Sequence, residues 1–234
     1  MLKLVVTCEH AAHEVPDGLE LGIPPEVVTS HVGWDPGAHE VAEAVARRWS
    51  VPLLAGRYSR LVADLNRGPN NPEVVPEVAF GVPVPGNRNL GTKGRETRVR
   101  DYHTPYWRAA RDAVDSALEI GPVLHLSVHS FSADFGGEAR PWDFGVLHER
   151  DTGLEGEVAR ALLHGLGRGG GSAARNQPYG GVEDYLVTNF RRDFAPETYA
   201  GILLEVSQRN LDRLTDVKDL VVAAVASALR RAPQ

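Results

Sequence analysis

The 234-residue chain has a single cysteine, Cys8, and a single methionine. One cysteine excludes an internal disulfide and any cysteine-based zinc cluster, so a metal held here draws on the nine histidines and the carboxylates. Long apolar runs are missing too: none reaches the ~18 residues that a membrane helix needs. The start, MLKLVVTCEH, turns polar too soon for a secretory signal, which makes the cytoplasm the expected location. Positive charge is not in excess. With 25 Lys and Arg against 31 Asp and Glu, the formal net charge of −6 argues against nucleic acid or an anionic membrane as the main partner.

What is present fits one globular domain spanning 1–234, with 42% hydrophobic and 24% charged residues. LKLVVT (2–7), VPLLAG (51–56), VLHLSVH (123–129), FGVLHE (144–149) and ILLEVS (202–207) are short and apolar, as buried strands are. Amphipathic stretches alternate with them. Asp35 and Pro36 suit the N-cap and first position of a helix running to Trp49. Thr104-Pro105 opens a second helix, and Leu154–Leu166 and Val217–Leu229 supply two more. This alternation predicts an α/β fold with a mixed, mostly parallel sheet covered by helices on both faces. Residues 66–103, 130–143 and 167–181 are rich in Gly, Pro and Asn and read as long functional loops. The glycines at 169–171 lack the Lys-Ser/Thr of a phosphate loop. Arg98 and Arg100 read there as solubilising charges.

Open α/β sheets bind ligands outside the carboxyl ends of their strands. Three strands here deliver chemistry to that edge: LVVTCEH brings His10, VLHLSVHS brings His129, and ILLEVSQ carries Glu205. Period-2 alternation puts His125, Ser127 and His129 on one face and Leu124, Leu126 and Val128 on the other. Two strand-end histidines point to a zinc site, completed by a third ligand from Asp35, His13 or Glu14. Glu205 lies in an apolar strand, where an unpaired charge is costly. It is either paired with Arg60 or Arg67, or it is a base with a raised pKa. Arg60, Asn66 and Arg67 in SRLVADLNR suit a substrate with a free carboxylate, or else form a salt-bridged surface turn. Cys8 has two readings, a nucleophile with a nearby histidine or a small buried hydrophobe.

Glu9-His10, WDPGA (34–38), SRLVADLNR (59–67), YHTPYW (102–107), VHSFS (128–132), RPWDFGVL (140–147), NQPYGG (176–181) and LLEVSQRNL (203–211) follow one another in an order that resembles the N-formylglutamate amidohydrolases. The resemblance spans nearly the whole chain. It implies a phosphorylase/hydrolase-like αβα sandwich and hydrolysis of the amide of an acidic N-acyl amino acid, such as N-formyl-L-glutamate. It makes His10, Asp35 and His129 ligands of one zinc ion and Glu205 the base. Arg60, Asn66 and Arg67 become the substrate anchors, joined as substrate-binding candidates by Ser130 of VHSFS and by Asn176 and Tyr179 of NQPYGG. Three positions depart from the pattern. Trp107 stands where the family usually has histidine, Ser207 where an arginine is usual, and His13 where the related carboxypeptidases have glutamate. An alternative is a non-catalytic protein that keeps the pocket to sense an acidic metabolite.

Overall fold

The computed structural model describes residues 2–230. Six strands form one sheet: β1 (Lys3–Cys8), β2 (Leu53–Ala55), β3 (Val123–Phe131), β4 (Phe144–Leu147), β5 (Ala173–Arg175) and β6 (Tyr199–Ser207). Their spatial order is β2-β1-β3-β6-β4-β5. The first four run parallel, and β4 turns antiparallel against β6 with β5 parallel to it. The fold is the expected αβα sandwich with a mixed, mostly parallel sheet.

Alternation along the strands sorts the two faces. Leu4, Val6, Leu124, Leu126, Val128, Ile202 and Leu204 pack on one side. There they meet Val41 and Val45 of α1 (Ala38–Trp49), Leu162 of α4 (Gly153–Arg168) and Val221 and Val225 of α6 (Leu214–Arg230). Val5, Val123 and Tyr199 face the other way, against Ala110 and Val114 of α3 (Thr104–Leu118) and Leu186 and Phe190 of α5 (Leu186–Asp193). The second face also carries the polar residues of β3, because a period of two leaves them nowhere else to point. His125 is fully buried there, between the Thr7 hydroxyl at 3.0 Å and the Tyr199 hydroxyl at 2.8 Å.

Several expectations are corrected. Asp35 does not cap α1: the helix starts at Ala38 behind Gly37, whose φ of 82° only glycine adopts without strain, and the Asp35 carboxylate turns inward instead. Part of the expected 66–103 loop is helical. Helix α2 (Gly91–Arg98) runs through a π turn (Val99–His103) straight into α3. It buries only Arg98 and has no apolar stripe to betray it. Arg98 is no surface charge, for its Nη1 donates to the Val62 carbonyl at 3.1 Å. The 167–181 stretch holds the short edge strand β5, and α5 went unread in the sequence.

Candidate active site

The parallel pairings bring the candidate residues together. His10 follows the end of β1, His129 lies near the end of the adjacent β3, and Glu205 of β6 stands opposite His129 in register. Asp35 arrives from the turn before α1, where its backbone N–H donates to the His10 carbonyl at 3.0 Å. One ligand atom each from His10, Asp35 and His129 lies within 4.8 Å of the others, and all three side chains are buried. His13 and Glu14 take no part. His13 packs against Trp34, and Glu14 is exposed.

Each histidine sits between two carboxylates. His10 Nε2 is 2.7 Å from Asp64 and its Nδ1 is 3.4 Å from Asp35 Oδ2. His129 Nε2 is 2.8 Å from Glu9 and its Nδ1 is 2.8 Å from the same Asp35 oxygen. Burial, reinforced by the Arg60 charge, pulls the His10 pKa down to about 3, so this ring is neutral at pH 7 and carries one N–H. With that proton on the 2.7 Å side, the Nδ1 lone pair faces a carboxylate oxygen. Two acceptors facing each other repel unless a proton or a metal cation lies between them. The outer carboxylates of Asp64 and Glu9 orient the rings as supporting groups do around zinc-ligating histidines. The donor set, two imidazoles and a carboxylate, fits zinc with an open position for solvent or substrate.

The supports are themselves tied. Glu9 accepts from the Ser127 hydroxyl at 2.6 Å and the Tyr106 hydroxyl at 3.2 Å. Burial alone would raise its pKa, but the contacts with His129 and Ser127 outweigh that and hold it near 2. Asp64 is also buried, which alone would raise its pKa, but His10, Arg67 and Arg60 hold it well below the usual carboxylate range. Arg60 pairs with the second Asp35 oxygen and stacks over Phe80.

Glu205 is different. It is 5% exposed, and its Oε2 has no hydrogen-bond partner among the described residues. Neither Arg60 nor Arg67 pairs with it. Burial raises its pKa, only partly offset by His129, Arg60 and Arg140. Its room is set by Gly145 on β4: a Cβ there would lie 1.8 Å from the Gln177 carbonyl and 3.2 Å from Glu205 Cβ.

A cavity of about 110 Å³ joins these groups, lined among others by the metal-type cluster, Glu205, Arg67 and Tyr179. Of the expected anchors, Arg60, Asn66, Arg67, Ser130 and Tyr179 line it. Asn176 does not: its carboxamide oxygen accepts from the His148 N–H at 2.9 Å, and its φ is 49°. Asn66 likewise accepts from the Leu186 N–H at 3.0 Å, and Ser130 donates to the Pro36 carbonyl. Several contributors carry no signal in the sequence. Arg140 lines the cavity, while His103 and Trp107 clamp the anchor segment by donating to the Arg67 and Leu65 carbonyls, both at 2.8 Å. The motifs containing them were visible, but nothing local showed where they would point. Cys8 lies wholly in the core, its thiol pKa pushed up by burial, as expected of a bystander.

The model of the N-formylglutamate amidohydrolase family matches residues 2–211. The chain belongs to this family. Among solved structures, a gene product of Agrobacterium tumefaciens is similar at 27% identity and a TM-score of 0.83, with 97% of this chain and 90% of that one covered. An N-formylglutamate amidohydrolase from Ralstonia eutropha shares the fold at 21% identity and a TM-score of 0.75, over 98% of this chain and 95% of that one. No curated protein matches the chain in sequence. This amidohydrolase chain has, among its described residues, no helix long and apolar enough to cross a membrane.

Proposed function

We propose that the chain hydrolyses the amide of N-formyl-L-glutamate, or of a similarly acidic N-acyl amino acid, with zinc held by His10, Asp35 and His129 and with Glu205 as general base. The observation that carries this reading is Glu205, a buried carboxylate with a raised pKa and an unpartnered oxygen, in the cavity lined by the metal-type cluster. A carboxylate whose protonated form is favoured by burial is suited to accept a proton and return it. Zinc bound there would act as a Lewis acid, polarising the amide carbonyl and letting water ionise near pH 7.

The chain's own groups account for the other requirements. Arg67 holds the substrate carboxylate, its position set by the clamps on its own and neighbouring carbonyls. Glu205 takes a proton from the attacking water as the C–O bond forms. It returns that proton to the amide nitrogen as the C–N bond breaks, so that water and N-formyl-L-glutamate give formate and L-glutamate. Arg60, part-buried beside Asp35, supplies positive charge where the carbonyl oxygen becomes negative. We place this activity in the cytoplasm.

The test is metal content and formate release on the same preparations. Near one zinc per chain in the wild type, lost with turnover in His129→Ala, supports the reading. A wild type that binds no metal when zinc is supplied overturns the metal assignment. Thermal stabilisation by N-formyl-L-glutamate without formate release would favour the binding-protein alternative.

A further inference from the structure

Resting on that hydrolytic reading, we propose that Arg140 binds a second, distal carboxylate of the substrate and so sets the preference for acidic N-acyl amino acids. The three arginines that line the cavity are not equivalent. Arg60 is committed to Asp35. Arg67 donates to the Asn66 carbonyl at 3.1 Å and lies 3.5 Å from Glu73. Arg140 pairs with no carboxylate among the described residues, although it lines the same cavity as Glu205.

The guanidinium of Arg140 is nonetheless held in place. Its carbon lies 4.8 Å from the Phe135 ring centre and 5.1 Å from that of Tyr179, and its Nη1 donates to the Tyr179 hydroxyl at 3.2 Å. The backbone behind it is tied as well, since Arg209 Nη2 donates to the Arg140 carbonyl and, at 2.7 Å, to that of Trp142. Cations lie favourably against aromatic rings, and guanidinium is hydrated weakly enough to sit there. Five N–H donors in a planar fork minus the one given to Tyr179 leave donors for a carboxylate, and a fixed fork loses little freedom in binding it.

A dicarboxylic substrate needs two such cations. Arg67, held by the Leu65 and Arg67 carbonyl clamps, suits the carboxylate beside the scissile amide. Arg140, next to a short hairpin (Asp134–Phe135 with Glu138–Ala139), suits the far one. Phe135 of that hairpin meets Phe80 of a separate turn, ring centres 6.0 Å apart, and both residues line the cavity. A molecule that satisfies both arginines is therefore enclosed beside aromatic walls.

The experiment compares kcat/KM for N-formyl-L-glutamate and N-formyl-L-glutamine, which match in size but differ in the distal charge, by formate release. The variants are Arg140→Met and Arg140→Lys, with their folding checked by circular dichroism. Arg140→Met is expected to lower the acid-over-neutral ratio roughly 10- to 100-fold, the worth of a charged hydrogen-bonded contact, chiefly through KM. Arg140→Lys keeps part of the preference. An unchanged ratio, or an equal loss on both substrates, overturns the proposal. If the wild type releases formate from neither, the hydrolytic reading fails and Arg140 is judged by thermal shift with L-glutamate against L-glutamine. Discrimination that disappears in Arg140→Met then supports the distal site, and an equal response of wild type and variant overturns it.

Discussion

Replacing Glu205 by Gln should remove activity and at the same time make the metal-free protein more stable. The side chain is buried and one of its oxygens has no partner, so its charged form is disfavoured and its pKa stands above the unfolded value. The direction of the pH effect follows. Between the unfolded and the folded pKa the folded state binds more protons, so stability falls as pH rises through that window, and the penalty is complete above it. Each pH unit by which the folded value exceeds the unfolded one costs about 1.4 kcal/mol. In a protein of this size 1 kcal/mol moves Tm by about 2–4 °C. Gln is nearly isosteric with Glu and removes the charge. The variant's Tm at pH 8 should therefore exceed that of the wild type, and the difference should shrink toward the ordinary carboxylate range. Loss of the general base should lower kcat by roughly 10²–10⁴. The assay is calorimetry across pH on chelator-treated protein, beside formate release on zinc-loaded protein with metal content verified. A variant that is destabilised at pH 8, or that keeps near-normal kcat, refutes the assignment of Glu205 as an unpaired buried base.

Other expectations can be checked with equally small changes. Glu9→Gln weakens the carboxylate support of His129 and should cost roughly 10- to 100-fold in zinc affinity, measured by chelator competition. Because the Glu9 pKa is held near 2, its contribution is present at neutral pH and lost as pH falls from the usual carboxylate range toward 2, so this variant should show a shallower acid-unfolding profile. Gly145→Ala puts a Cβ 1.8 Å from the Gln177 carbonyl, a backbone atom that cannot swing aside; about 1–3 kcal/mol should be lost in urea unfolding. His103→Leu frees the Arg67 carbonyl and should raise KM more than it lowers kcat, read from steady-state kinetics.

Much of this was legible because strands expose their period. The apolar alternation around His125, Ser127 and His129 put the right residues on the right face, and Glu205 stood out as a lone carboxylate in ILLEVS. The cluster of His10, Asp35 and His129 followed from strand-end placement and family resemblance. What stayed hidden is non-local. Asp35-Pro36 reads as a helix cap by local rules, yet tertiary contacts with His129 and Arg60 claim its carboxylate. Helix α2 has few apolar residues, so its packing beside the π turn leaves no periodic mark. The resemblance makes Asn176 a substrate-binding candidate, and only the folded chain shows it accepting from the His148 N–H. The same is true of Arg140, whose partners Phe135 and Tyr179 come from different loops.

The central position of β3 bears on the order in which the molecule assembles. His129 lies on a strand whose two parallel neighbours, β1 and β6, come from opposite ends of the chain. Parallel strands far apart in sequence pair late, because the loop between them must close before any contact rewards it. No local fragment brings His10, Asp35 and His129 together, unlike a zinc finger that folds around its ion. A metal held by them would therefore report that β1, the turn before α1 and β3 have come together. The binding energy of such a metal would be felt as resistance of the paired strands to unfolding, not as the stiffening of one loop.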